Sequence, residues 1–181
     1  MATQQHLELL QSGVSAWNRW REENRAVLPD FYAADLIGAD LKRANLSRAN
    51  LSAADLSAAD LQAADLSDAD LSGAHVNDAR LQGAHLTGAY LSAADLSRAD
   101  LREADLREAR LHMAILFRAV LTQADLSGAD LHGADLHEAD LSYALLRKAN
   151  LREADLTGVD LHAADLTGAD LHGTNLRLVS E

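Results

Sequence analysis

Apolar residues recur at a fixed spacing of five along most of this 181-residue chain. From Leu36 to Leu176 every fifth residue is leucine, and Val76 is the single exception among 29 positions. The residue two places before each of these positions is alanine, except at Val159 and Thr174. No insertion breaks this register, and most of the residues between the apolar pairs are polar. The pattern predicts a single structural unit of five residues, repeated without interruption.

A period of five fits neither a regular helix nor a continuous strand. An α-helix turns by about 100° per residue, so it would scatter successive leucines around its surface. A strand would place the alanine and leucine of one repeat on the same face, but the next leucine would point the other way because five is odd. The chain must therefore turn a corner in every repeat. We predict a coil of very short strands with alanine and leucine pointing inward, and successive coils stacked about 4.8 Å apart.

The phrases ADLSAADLQAADL, ANLSRANL and ADLREADLREARL resemble those of pentapeptide-repeat proteins over about residues 31–176. This resemblance implies an all-β solenoid, a right-handed quadrilateral parallel β-helix with four repeats in each coil. It also implies about seven coils, which would form a rod roughly 34 Å long. We expect the β-helix to span residues 29–176, after an N-terminal capping helix and connector in residues 1–28 and before a short C-terminal tail in residues 177–181.

The N-terminal segment QQHLELLQSGVSAWNRWREEN predicts a helix from about Gln4 to Glu23, with Pro29 marking the stop. A β-helix exposes backbone and core at its ends, so we expect the apolar stripe of this helix to cover the first coil. A helix that binds a partner is the alternative. The stripe consists of Leu7, Leu10, Val14 and Trp17, with Leu9 and Trp20 beside it.

The C-terminal tail offers no helix for the last coil. Leu178 and Val179 are expected to fold over this end or to help two copies meet end to end. The chain would then be either a monomer or an end-to-end homodimer.

The net charge of −12 is a property of the repeat. After residue 30 the chain has 24 Asp and Glu, of which 17 occupy the slot just before the inward leucine. Such acidity disfavours direct binding to nucleic acid or to an anionic membrane. There is no cysteine, no signal-peptide pattern and no membrane-spanning stretch. We therefore expect a cytoplasmic protein.

The slot before each leucine holds 17 Asp and four Asn. In the family this residue points outward, where its side chain can accept a hydrogen bond from a backbone amide in an Asx-turn. Residues 20 apart would be neighbours, and stacked carboxylates about 5 Å apart repel each other by roughly 1 kcal/mol before screening. We interpret His75, Arg80 and His85, which interrupt the acids, as charge relief, and ligand binding by these residues is the alternative. The remaining histidines form no convergent cluster, so neither a metal nor a cofactor is expected.

The stretch ARLHMAILFRAVL, residues 109–121, lacks the acid or amide in three successive repeats. Outward apolar residues beside arginine and aromatic side chains are typical of interaction surfaces. We call this group the central patch: Tyr90, Arg110, Met113, Ile115, Phe117 and Val120. A smaller apolar pair, Tyr143 and Leu145, is expected about one coil further on. The alternatives are variation on a tolerant surface and cover by the N-terminal segment or by a second copy.

The sequence argues against an enzyme. It has no P-loop, no Rossmann glycine motif and no HExxH motif, and a convex rod offers no enclosed site for catalysis. We expect a non-catalytic scaffold or protein–protein interaction module, whose partner the sequence does not identify.

The family resemblance implies one alternative function, because some members mimic B-DNA, bind DNA gyrase and confer quinolone resistance. This chain differs from them in its inward leucines, where gyrase-binding members often have phenylalanine, and in having no projecting loop and no C-terminal helix. It also carries positive charge in the middle of the predicted rod, at Arg80, Arg98, Arg102, Arg107, Arg110 and Arg118.

Overall fold

The computed structural model describes residues 3–176, and a β-helix begins at Asp30. Each strand is a single bridged residue in the slot before an inward side chain. Parallel bridges join residues 20 positions apart, from the pair Asp30 and Asn50 to the pair Asn150 and Asp170. The bridges form four ladders, one on each wall of the coil. We number the walls 1 to 4 by the residues at which their ladders begin: Asp30, Asp35, Asp40 and Asn45.

The inward residues form one continuous core along the rod. The leucines from Leu36 to Leu156 are buried, as is Val76 among them, and so are nearly all the alanines beside them. The small alanine next to each leucine leaves the cross-section just wide enough for four leucines per coil to pack against those above and below. The core therefore follows directly from the five-residue pattern.

The corners of the coil are β-turns. At the corner after wall 2, the carbonyl oxygen of Leu36 accepts a hydrogen bond from the amide of Ala39 at 3.1 Å. The third residue of this turn, Gly38, has a φ of 63°, which is the mark of a type II turn. The third residue has a positive φ at all 29 corners from Ala33 to Gly173, although only nine of these residues are glycine. The coil thus holds many ordinary side chains in the left-handed region.

The preference for Asp or Asn before each leucine has a local cause. Oδ1 of Asp55 accepts a hydrogen bond from the amide of Ser57 at 3.0 Å, and Asn50 accepts one from Ser52 at 3.2 Å. The same bond recurs in most repeats and forms an Asx-turn across the corner. An aspartate and an asparagine are equivalent in this role, but an apolar residue cannot replace them.

Two helices precede the β-helix, α1 over Gln4–Gln11 and α2 over Val14–Glu23. The prediction of one helix from Gln4 to Glu23 is therefore wrong. The break lies at Gly13, whose φ of 116° is far outside the helical region. The apolar spacing continues across this break, so the pattern alone did not reveal it.

The helices pack on the first coil. Trp17 is fully buried, with its ring 5.4 Å from that of Phe31, and Leu7, Leu10 and Val14 join the same apolar cluster. No helix within residues 3–176 is long and apolar enough to cross a membrane.

The last coil is less well covered. Its inward leucines Leu161, Leu166 and Leu171 are only partly buried. The side chain of Asn175 accepts a hydrogen bond from the amide of Leu156 at 2.7 Å and so replaces the missing backbone partner on wall 2. Leu178 and Val179 lie outside the described residues, so their contact with this end or with a second copy stays a prediction.

Hydrogen bonds to carboxylates near this end predict a loss of stability in acid. The Thr157 side chain, followed by Asn175, holds the pKa of Asp155 at about 2, and the Thr167 side chain, followed by Arg147, does the same for Asp165. Both values lie below the value of about 3.9 for an unfolded aspartate. Their stabilisation is therefore complete above about pH 4 and is lost as the pH falls towards 2.

We expect the melting temperature to fall between pH 4 and pH 2, and to fall less in the double variant Asp155→Asn, Asp165→Asn. Asparagine keeps the Asx oxygen but does not titrate. Thermal melts followed by circular dichroism across this range would measure the difference. Identical pH profiles for the two proteins would contradict the assignment.

Candidate protein-interaction surface

The central patch begins on wall 1, where Tyr90 and Arg110 are bridged neighbours. The Arg110 guanidinium carbon lies 4.4 Å from the centre of the Tyr90 ring, which is a cation–π contact. Within residues 3–176 Arg110 forms no ion pair with a carboxylate. The pair therefore presents an aromatic ring and a positive charge that acidic side chains do not neutralise by contact.

Ile115 and Val120 carry the patch onto walls 2 and 3. Ile115 is bridged to Asp95 and Asp135, and Val120 is bridged to Asp100 and Asp140. Ile115 is 40 % exposed and Val120 is half-buried. Both side chains are apolar residues set between carboxylates.

The two corners of wall 2 complete the patch. Met113 is 57 % exposed at the corner between walls 1 and 2. At the corner between walls 2 and 3, the Phe117 ring stacks on His137 at 5.7 Å and lies 4.9 Å from the Arg118 guanidinium carbon. Arg118 is held in turn by Glu138, at 2.5 Å between Nε and Oε2. The aromatic ring is thus oriented by its neighbours before any partner arrives.

Tyr143 and Leu145 lie elsewhere on the rod. Leu145 is half-buried on wall 4, the wall opposite Ile115, between Asp125 and Asp165. Tyr143 is 53 % exposed at the corner between walls 3 and 4, edge-on to His162. The structure does not bring this pair together with Ile115 on one face.

The N-terminal helices lie at the first coil, several coils away from the central patch along the rod. Their polar contacts with the rest of the protein are to residues between Val27 and Ser47, in the connector and first coil. The alternative in which the N-terminal segment covers Phe117 is therefore wrong.

The bridged ladders explain in part why some repeats lack an acid in the slot before the inward leucine. In the described chain, no ladder contains more than two acids in succession before a different residue intervenes. One intervening residue, Arg80, pairs with the carboxylate of Asp60 at 3.0 Å. The residues that interrupt the bridged ladders are Asn45, Asn50, His75, Arg80, His85, Tyr90, Arg110, Ile115, Val120, Leu145 and Asn150. Such spacing limits repulsion between stacked carboxylates.

Charge relief does not explain why Ile115 and Val120 are apolar. Asn50 and Asn150 also break a run of acids, and both keep the hydrogen bond across the corner. An apolar residue gives up that bond, which is typically worth about 0.5–1.5 kcal/mol. The apolar character at these two positions therefore needs another cause.

Charge along the rod changes at the same place. Residues 80–119, which make two coils, contain six arginines against five Asp and Glu, a net charge of +1. Residues 30–79 have a net charge of −6, and residues 120–176 have −7. Most of the central patch thus lies on a near-neutral belt between two acidic ends.

The sequence analysis missed a second exposed apolar group at the N-terminal end. Tyr32 is 46 % exposed and Ile37 is 58 % exposed, and Val27 and Leu28 are exposed nearby. Tyr32 and Ile37 follow an inward residue directly, a slot that elsewhere in the rod is polar except at Phe117. The apolar character of Tyr32 and Ile37 in this polar slot is the sequence signal that could have revealed the group.

The histidines do not form a metal site in the described part of the chain. His112 and His132 stack in parallel at 5.2 Å, but residues 3–176 hold no group of three His, Asp or Glu side chains arranged to bind an ion.

The chain belongs to the pentapeptide-repeat family. The model of that family, described as pentapeptide repeats in eight copies, matches residues 30–68, 64–99, 74–112, 84–123, 114–152 and 144–180. Members of the family form right-handed quadrilateral β-helices, in agreement with the four ladders and the 20-residue spacing. A search of curated proteins finds no match to this chain.

Three solved structures illustrate the likeness. HetL, a pentapeptide repeat protein involved in heterocyst differentiation regulation in the cyanobacterium Nostoc sp. strain PCC 7120, is 36 % identical; the match covers 77 % of this chain and 84 % of HetL, with a TM-score of 0.43. A pentapeptide repeat protein of the Arabidopsis thaliana thylakoid lumen is 37 % identical over 60 % of this chain and 68 % of its own, with a TM-score of 0.49. QnrB1, a plasmid-mediated fluoroquinolone resistance protein, is 19 % identical over 83 % of this chain and 90 % of its own, with a TM-score of 0.53. The QnrB1 likeness shows the fold alone.

Proposed function

We propose that this protein is a non-catalytic protein–protein interaction module that binds its partner through the central patch. The observation that carries the proposal is the apolar character of Ile115 and Val120. Asparagine would relieve the charge and keep the Asx-turn, so an apolar residue here gives up local stability. An interface that buries these side chains would offset that loss.

The surroundings indicate the chemistry of the partner. Met113, Ile115 and Phe117 form the apolar part, and Arg110 lies beside them with no ion pair to a carboxylate of residues 3–176. Arginine and aromatic residues dominate binding energy at many interfaces. The partner surface would therefore combine an apolar anchor with an acidic or polar rim, and it would meet the rod at its near-neutral belt. A cytoplasmic location remains part of this proposal.

DNA mimicry toward gyrase is the second candidate. It is favoured by the net charges of −6 and −7 over residues 30–79 and 120–176. A mimic of duplex DNA needs a continuous negative surface, because DNA carries one charge per about 1.7 Å of helix axis. The belt of residues 80–119 interrupts that surface for about 10 Å. We therefore place this function second.

The test is an affinity capture from lysate of the source cells, with mass spectrometry, using the wild type and the variant Ile115→Asn, Phe117→Ser, Val120→Asn. Asparagine restores the acceptor for the corner amide without placing another acid in the ladder. We expect the variant to fold and to lose at least 90 % of one or more captured proteins.

The matched control is His75→Asn, His85→Asn, which makes the same kind of change in the same slot about two coils earlier. It should retain the partner. Equal recovery by wild type and patch variant would overturn the proposal, and recovery of gyrase by all three proteins would favour the second candidate.

A further inference from the structure

The N-terminal edge of the β-helix is only half covered. Each wall of the first coil presents backbone groups that, further along the rod, pair with the preceding coil. On wall 1, the amide of Asp30 donates to Nδ1 of His6 at 3.1 Å, and its carbonyl oxygen accepts from Thr3 at 3.0 Å. Helix α1 and the flanking residue Thr3 thus satisfy both backbone groups of Asp30 on this wall.

Helix α2 satisfies wall 4 with side chains. The Trp17 indole donates to the carbonyl oxygen of Asn45 at 2.8 Å, and the amide of Asn45 donates to Oδ1 of Asn18 at 2.8 Å. The Arg21 guanidinium donates to the carbonyl oxygen of Ser47 at 2.9 Å. These three side chains reproduce the bonds that a preceding strand would make.

The described residues give walls 2 and 3 no such cover. Among residues 3–176, no hydrogen-bond partner is present for the amides and carbonyls of Asp35 and Asp40, or for the carbonyls of Ile37 and Lys42. One coil further on, the same positions are paired: the amide of Asp55 donates to Ala34 at 2.9 Å. The unpaired groups therefore have the spacing of an open parallel strand edge.

A cleft with a partly apolar lining accompanies this open edge. It has a volume of about 680 Å³ and lies between the α1–α2 turn and wall 3. Leu10 and Val14 line one side, and Leu36, Ala39 and Leu41 line the other. The exposed Tyr32 and Ile37 occupy the two corners of wall 2.

We propose that walls 2 and 3 of the first coil bind an extended segment of a partner protein, which adds to the rod as two further repeats. The backbone of the segment would pair with Asp35, Ile37, Asp40 and Lys42, in the manner of strand addition at an exposed sheet edge. Its inward aliphatic side chain would enter the cleft between Leu10 and Ala39. This surface is separate from the central patch, and neither proposal depends on the other.

The carboxylates of Asp35 and Asp40 determine which outward residue the bound segment can have. Asp35 is followed in its ladder by Asp55, and Asp40 by Asp60, so an acid stacked on either would be the third in succession. No ladder in the described chain contains such a run. A basic residue is favoured in this slot because it would lie beside the carboxylate of Asp35 or Asp40, as Arg80 lies 3.0 Å from Asp60 in the ladder of Asp40. The bound segment therefore takes the form small, basic, aliphatic.

The experiment uses the full chain and three synthetic peptides, followed by nuclear magnetic resonance at up to millimolar peptide. The first peptide is Ala-Arg-Leu-Ser-Gly-Ala-Arg-Leu-Ser-Gly, whose last amide can donate to the carbonyl oxygen of Lys42. The second has aspartate in place of both arginines. The third has proline in place of both leucines, which keeps the charge but removes two of the amides that the pairing needs.

We expect the first peptide to slow exchange of the Asp35 and Asp40 amide protons with water by at least tenfold. The amides of Asp55 and Asp60, which are already bonded, serve as the internal reference. The aspartate and proline peptides should bind at least tenfold more weakly. Unchanged exchange at Asp35 and Asp40, equal protection by the proline peptide, or protection confined to residues 110–120 would each overturn the proposal.

Discussion

Leu101→Ala is expected to lower the free energy of unfolding by about 2–5 kcal/mol, the range for removing a fully buried leucine side chain. Leu101 is 0 % exposed on wall 3, where the coils of Leu81 and Leu121 lie directly below and above it. The cavity would therefore weaken the packing of three coils at once. Chemical denaturation followed by circular dichroism would measure the change.

Leu161→Ala is the matched control, because Leu161 occupies the same wall but is only partly buried in the last coil. We expect it to cost clearly less than Leu101→Ala, since it has a neighbouring coil on one side within the described chain. Equal losses for the two variants would contradict the assignment of the core.

Trp17→Ala is expected to cost about 3–5 kcal/mol, the range for a large buried aromatic residue. The substitution removes the ring that packs between Trp20 and Phe31, and it also leaves the carbonyl oxygen of Asn45 without its donor. The exposed first coil should then promote aggregation. Denaturation and size-exclusion chromatography would measure the two effects.

Trp17→Phe separates these contributions, because it keeps a ring but loses the indole N–H. We expect a loss smaller than that of Trp17→Ala. Deletion of residues 1–24 should give the largest loss of stability and the most aggregation of this series. A soluble protein of unchanged stability after that deletion would show that the helices are not a cap.

The two proposed binding surfaces use different physics. The central patch offers side chains on a closed surface, whose backbone is already paired between coils. The N-terminal edge offers unpaired backbone groups and a partly apolar cleft, and charge there acts on the outward residue of the bound segment. A partner could engage either surface without obstructing the other, because three coils separate Ile37 from Phe117.

The residues of the candidate surface could be listed from the sequence, but their arrangement could not. The residues of the central patch could be listed because each departs from the repeat, as Ile115 does in a slot otherwise rich in aspartate. Their packing could not be derived from the repeat. The stacking of Phe117 on His137 and of Arg110 on Tyr90 depends on which rotamers fit between adjacent coils.

At the N-terminal end, too, the tertiary contacts could not be predicted from the sequence pattern. The spacing of Leu7, Leu10, Val14 and Trp17 predicted helical structure, but not the break at Gly13. Nor did it predict that Trp17, Asn18 and Arg21 would take the place of a strand on wall 4. Side-chain hydrogen bonds to a distant backbone leave no periodic trace in the sequence.

The five-residue period by itself determined that the chain turns a corner in each repeat with alanine and leucine inside, because five is incompatible with a single helix or strand. Only the tertiary structure decided which walls of the first coil are open and which side chains of the helices cover the others. Those properties depend on contacts between residues 20 or more positions apart. A local pattern fixes the direction of each side chain, whereas the closure of the coil fixes what that side chain meets.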